Sequence, residues 1–168
     1  LLMPTSGTID VMGHDITREG TAVKQHIGYL PEESPLYENM TVLKYLDFFA
    51  ELYRIPKKTA KQRIGELLDS LNLEESDRRR YNGDLSKGMR RKVAIARTLL
   101  HNPSILVLDE PNSGLDPLTS FFIIDYLKKL NEEGKTIVLS AHNLFHVEYV
   151  CKRVAIMKSG DIPVCDEI

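Results

Sequence analysis

Two largely aliphatic runs decide what this chain can fold into. Ile105-Leu106-Val107-Leu108 and Thr136-Ile137-Val138-Leu139-Ser140 flank a segment that Asp116-Pro117 opens and Gly134 closes. Short aliphatic runs without polar alternation are the pattern of strands buried on both faces. Proline suits the first position of a helix and glycine the position just past its end. Strand, helix, strand in that order predicts a crossover in a parallel sheet wrapped by helices. After a short helix capped by Asn143, Val154-Ala155-Ile156-Met157 extends the expectation to a third strand, turning at Ser159-Gly160.

Upstream, Thr8-Ile9-Asp10-Val11-Met12 reads as a strand that turns at Gly13, and Ile27-Gly28-Tyr29-Leu30 as a strand stopped by Pro31. A polar loop, Glu32-Glu33-Ser34-Pro35, follows. Three helices then interrupt the strands. Thr41 caps the first, with Val42, Leu46, Phe49 and Tyr53 on one face. Ala60, Ile64, Leu67, Leu68 and Leu71 mark the second. Ser86 opens the third, with Met89, Val93, Ala96 and Leu100 at helical spacing and Asn102-Pro103 after its end. The charged residues 74–82 are expected to be a solvated loop. The predicted fold class is α/β, with a parallel-sheet core interrupted by a helical lobe over residues 41–102.

Composition excludes several functions. Lys plus Arg number 22 and Asp plus Glu 24, a net charge of −2, so bulk basicity gives no argument for nucleic acid. No apolar run approaches the roughly 18 residues of a membrane-spanning helix. Cys151 and Cys165 form neither a disulfide framework nor a metal-ligand spacing, and suit a reducing compartment. The opening Leu1-Leu2-Met3-Pro4 shows no basic-then-apolar leader.

The chemistry concentrates at predicted strand ends. Asp109 and Glu110 stand at the carboxyl end of a parallel strand, where open α/β sheets place their ligands. Adjacent carboxylates repel, and a cation such as Mg²⁺ relieves that cost. In a nucleotide hydrolase Asp109 would hold Mg²⁺, directly or through water, and Glu110 would take the proton from the attacking water or orient it. The plain alternative is an acidic pair facing solvent. His142 follows the next strand and should emerge on the same sheet edge, where it could bridge a γ-phosphate and Glu110; alone, such a histidine is as well explained by packing. Asp116 is a good N-cap ahead of Pro117, so local structure accounts for it. The third helix opens Ser86-Lys87-Gly88-Met89-Arg90-Arg91-Lys92, placing four cations where the helix dipole favours acids. A hydroxyl and a glycine at that start suit an anion; the alternative is a solvated basic face.

In order along the chain, these residues resemble the motifs of the ATP-binding domain of ABC transporters. Leu85-Ser86-Lys87-Gly88-Met89 looks like the family signature, usually written LSGGQ. Residues 105–110 look like its Walker B strand with the catalytic glutamate, Ser113-Gly114-Leu115-Asp116 like its D-loop, and His142 like its switch histidine. Tyr29-Leu30-Pro31-Glu32 lies where the family carries its Q-loop. An ordered set is far more specific than any single match. The resemblance covers nearly the whole chain and implies a P-loop NTPase-like sheet, with residues 1–40, 41–102 and 103–168 as its N-terminal β part, helical subdomain and Walker B half. It implies ATP and Mg²⁺ as ligands, Glu110 and His142 as catalytic residues, and Ser86, Lys87, Gly88, Asp116 and Glu32 as nucleotide-binding residues. Asp109 and Glu32 would hold the metal. Two domains would pair head to tail, the signature of one closing over ATP held by the other. A separate membrane permease would be the further partner, at the cytoplasmic face of the membrane, with no direct nucleic-acid contact. Residues 34–40 would push on that permease, with Leu36 and Tyr37 as exposed apolar contacts or, equally, as residues packed under the first helix.

The departures are also informative. No G-x-x-x-x-G-K-S/T loop occurs in the sequence. In the family that loop precedes a stretch like residues 1–7, so the resemblance implies a start just after the phosphate-binding loop and its helix. Without that cradle the 168 residues alone are expected neither to bind ATP tightly nor to hydrolyse it. Glu32 replaces the Q-loop glutamine, Lys87 a signature glycine and Met89 a glutamine. Three alternatives remain: an inactive remnant of such a subunit, an ABC ATPase acting on nucleic acid or ribosomes, and a metal hydrolase using Asp109, Glu110 and His142. The interval between Glu32 and Leu85 carries no coiled-coil heptads of the DNA-repair type, and the third alternative leaves the signature helix unexplained.

Overall fold

The computed structural model describes residues 4–168. Leu1, Leu2 and Met3, in the stretch expected to follow a phosphate-binding loop, lie outside the described residues. A short hairpin, β1 (Asp10–Val11) and β2 (His14–Asp15), turns at Gly13, whose φ of 83° lies in the left-handed region. Helix α1 (Gly20–His26) was not anticipated, and it leads into strand β3 (Ile27–Leu30). Only Val23 of α1 is buried, so its sequence carries no apolar period.

Four helices then build the lobe: α2 (Val42–Leu52), α3 (Lys57–Ser70), α4 (Glu75–Arg78) and α5 (Lys87–Leu99). Thr41 and Ser86 cap α2 and α5 as the sequence predicts, their hydroxyls accepting from the Lys44 and Met89 N–H groups. The buried face of α2 is Val42, Tyr45, Leu46 and Ala50; Tyr53 instead is exposed. Residues 74–82 are mostly exposed, as expected, but they are not a plain loop. They hold α4, where Arg78 pairs with Asp69 and Glu75, and they end in a fully buried Asn82.

Strand β4 (Ile105–Asp109), helix α6 (Pro117–Glu132) and strand β5 (Thr136–Ser140) form the predicted crossover. The parallel sheet runs β3-β4-β5, with Ile27 beside Ile105 and Ile105 beside Thr136. Leu106 and Leu108 of β4 are buried while Ile105 and Val107 are only partly so, which falls short of burial on both faces. After α7 (Leu144–Val150) the expected third parallel strand takes another partner. Strand β6 (Arg153–Lys158) pairs antiparallel with β7 (Asp161–Glu167) around Ser159-Gly160, as a separate sheet. One core runs from lobe to sheet: Leu46, Leu68, Ile95, Leu106 and Ile123 belong to it, each at most 2% exposed.

Candidate functional site

Parallel register builds the first half of the site. Asp109, the last residue of β4, lies beside Ser140, the last residue of β5. The Ser140 hydroxyl donates to Asp109 Oδ1 at 2.5 Å and accepts the Glu110 backbone N–H at 2.9 Å. One hydroxyl thus fixes the first carboxylate and the backbone that carries the second. Glu110 adopts a φ of 44°, in the left-handed region that disfavours side-chain-bearing residues. Its Oε1 stands 2.9 Å from His142 Nδ1, just beyond β5. The Glu110 side chain is 19% exposed and that of His142 76%, so a sheltered carboxylate meets an imidazole that reaches into solvent. The sequence reading of Glu110 and His142 on one sheet edge is therefore what the structure shows. Ser140 was missed. The two strands are both five residues long and paired from their first residues, so their fifth residues fall side by side.

The second half gathers around the head of α5. Ser86 is exposed, and its oxygen accepts the Met89 N–H at 3.2 Å. Lys87 is exposed and its Nζ lies against Gly114, where a Cβ would collide with it. Gly88 abuts α6: a Cβ there would sit 3.0 Å from Thr119 Cγ2. Asp116 caps α6, accepting the Thr119 N–H at 3.0 Å, and that bond holds its carboxyl below the usual carboxylate range. Glu32 is exposed and shares a groove of about 470 Å³ with Lys87, Arg90 and Ser113.

The four cations at this helix start divide, which neither an anion cluster nor a solvated face anticipates. Arg91 is buried and donates to Pro31 O at 3.2 Å and Glu32 O at 2.7 Å. Lys92 donates to Asn72 O at 3.2 Å and sits 4.6 Å from the Phe122 ring centre. Lys87 and Arg90 remain toward the groove. Of the two readings left open for Leu36 and Tyr37, Leu36 takes the packed one, in the core at 7% exposure, whereas Tyr37 is 53% exposed and rests edge-on against Tyr45.

The donor chemistry suits Mg²⁺. Asp109 is exposed and held through Oδ1, and its Oδ2 carries no hydrogen bond among the described residues. A hard oxygen on a fixed carboxylate is what Mg²⁺ takes, the remaining positions going to water and phosphate. Among the described residues no hydrogen bond or ion pair joins Glu32 to Asp109, and no group of three His, Cys, Asp or Glu side chains converges on a metal position. The metal-hydrolase alternative, which needs a set of protein ligands, gains no support from this arrangement.

A three-stranded parallel sheet, a helical insertion and a carboxylate–histidine pair across adjacent strand ends define an α/β cassette of the P-loop NTPase type. A family model described as ABC transporter matches residues 1–113. The ABC transporter ATP-binding protein NatA of Bacillus subtilis (strain 168) is 39% identical over 163 residues, covering 96% of this chain and 66% of NatA. The solved structure of cbiO1 from Clostridium perfringens, part of the ABC transporter complex cbiONQ, has a TM-score of 0.87 at 28% identity, covering 99% of this chain and 68% of cbiO1. The ATP-binding cassette MJ0796, in a dimeric post-hydrolysis state bound to ADP and Pi, has a TM-score of 0.84 at 28% identity, covering 98% of this chain and 74% of that one. The chain belongs to the ABC transporter family. It spans about two thirds of the length of NatA and about half that of other curated relatives. Among the described residues no helix is long and apolar enough to cross a membrane.

Proposed function

We propose that this chain is part of the ATP-hydrolysing subunit of an ABC transporter. It would work with a second cassette and a membrane permease, at the cytoplasmic face of the membrane. The contact that supports this reading best is the one between Glu110 and His142. A carboxylate sheltered from solvent and held by a histidine can accept a proton from water, or orient that water, beside a phosphate that the exposed imidazole contacts. Asp109 would hold Mg²⁺, with Glu32 as the second candidate, and the ion when bound would neutralise charge on the phosphate oxygens. Ser86, Lys87 and Gly88 would face ATP carried by the partner cassette. Hydroxyl, ammonium and close backbone all suit an anion at a helix start. The dimeric state reported for MJ0796 and the membership of cbiO1 in a larger complex support the two kinds of partner.

The test is ATP turnover and transport by the natural polypeptide reconstituted with its permease in vesicles. Turnover that needs Mg²⁺ and falls when Glu110 becomes Gln is the expected result; turnover indifferent to that change overturns the reading. Tyr37→Ala is expected to lower transport per ATP consumed, and unchanged coupling removes Tyr37 from the transmitting surface.

A further inference from the structure

The segment that leaves β3 is fastened to the approach and head of α5 at both of its ends. Asn82 is fully buried; its Nδ2 donates to Tyr37 O at 3.0 Å and its backbone N–H to Met40 O at 2.9 Å. Beside it, Gly83 N–H donates to Glu38 O at 3.3 Å, Val42 N–H donates to Arg80 O at 3.2 Å, and Thr41 pairs with Tyr81 as an antiparallel bridge. Ser86 and α5 begin a few residues later. At the other end of the segment, Arg91 of α5 holds the carbonyls of Pro31 and Glu32.

These are costly bonds to lose. Removing the Asn82 amide takes one of two donors from the part-buried Tyr37 carbonyl, which keeps the Met40 N–H at 3.0 Å, and a guanidinium holding two carbonyls acts as a planar fork that no other side chain reproduces. Arg91 is 8% exposed, so its stem and head are both committed to this contact. Tyr37 sits on the same segment with its ring half in solvent.

We infer that Asn82 and Arg91 are positioning residues that join residues 31–42 and the head of α5 into one rigid body, so that a displacement of Tyr37 is delivered to Ser86. The joining stands on the contacts alone. Its use in transmission rests on the proposed reading of residues 34–40 as the permease-facing segment.

Amide hydrogen exchange on the natural polypeptide tests the joining, comparing wild type, Arg91→Met, Arg91→Lys and Asn82→Ala. Exchange over residues 33–42 is expected to accelerate by roughly tenfold in Arg91→Met and Asn82→Ala, with β4 still protected. Arg91→Lys, which keeps the cation but loses the two-nitrogen fork, should fall between. Asn82→Ser takes the place of Asn82→Ala if the latter fails to fold. Unchanged exchange over residues 33–42 in both truncations overturns the inference. Transmission is read as ATP turnover with and without permease. Asn82→Ala is expected to reduce the permease-dependent stimulation by about tenfold while basal turnover holds. Accelerated exchange with unchanged stimulation overturns the transmission. A wild type whose turnover never responds to permease overturns the functional reading and the transmission with it, leaving the joining to stand or fall on exchange.

Discussion

His142 Nδ1 and Glu110 Oε1 meet at 2.9 Å although they lie 32 positions apart in the chain. The contact exists because β4 and β5 run parallel and in register, so the residues just past their ends share one sheet edge. On the proposed function the two side chains would act through this one contact. Glu110→Gln is expected to lower ATP turnover by about 10²–10⁴-fold, the span of a lost general base. His142→Ala should lower it by about 10²-fold, and the double variant should fall well short of the product of the two losses. Single-turnover rates at saturating ATP measure all three; multiplicative losses would mean that the pair does not act as a unit.

Ser140 controls where Asp109 points. Its hydroxyl makes a charge-assisted bond to the carboxylate and receives the Glu110 N–H. Ser140→Ala should raise the Mg²⁺ concentration needed for half-maximal turnover by about tenfold, in keeping with a lost bond to a charged group of roughly 1.5–3 kcal/mol. Ser140→Thr keeps the hydroxyl and should restore most of the loss. A magnesium titration in which Ala, Thr and wild type coincide would assign Ser140 to packing alone.

Gly114 separates backbone strain from side-chain crowding. Its φ is 63°, and a Cβ there would also strike Lys87 Nζ. The lysine tip is flexible and can move; the backbone cannot. Gly114→Ala should therefore cost about 1 kcal/mol of stability. Adding Lys87→Ala should not relieve that cost. Urea midpoints decide the matter, and full recovery in the double variant would place the strain in the lysine contact.

Capping and periodicity made much of this fold legible. Thr41, Ser86, Asp116 and Asn143 cap the helices expected of them, because a short polar side chain ahead of an apolar period has few other uses. The strand-end position of Glu110 and His142 followed from the aliphatic runs. Strand pairing was less legible. The apolar pattern of Val154 to Met157 marks a strand but not its partner, and β7, with Pro163 and several charges, reads as a loop until the Ser159-Gly160 turn folds it back. Arg91 and Asn82 were illegible for a different reason. Their partners are backbone carbonyls far along the chain, 59 and 60 residues away for Arg91, and a carbonyl leaves no trace in residue type.

His101 gives the chain a pH-dependent stability. Its ring stacks on Tyr53 at 4.4 Å, its Nε2 lies 3.1 Å from Ile27 O, and its buried Nδ1 has no partner among the described residues. With Nε2–H donating to that carbonyl, protonation would place a second N–H where nothing accepts it. Burial accordingly pushes the imidazole below its ordinary value, helped by the positive charges of Arg63 and Lys135. The unfolded chain, with an ordinary histidine near 6.5, binds the proton first as pH falls. Stability from this residue is thus fully present above about pH 6.5 and declines between that value and the depressed folded one, with a slope of at most about 1.4 kcal/mol per pH unit. Urea unfolding across this range should show the slope in wild type and lose it in His101→Phe, which keeps the stacking. If wild type and His101→Phe fall in parallel through that range, the proton is taken up elsewhere.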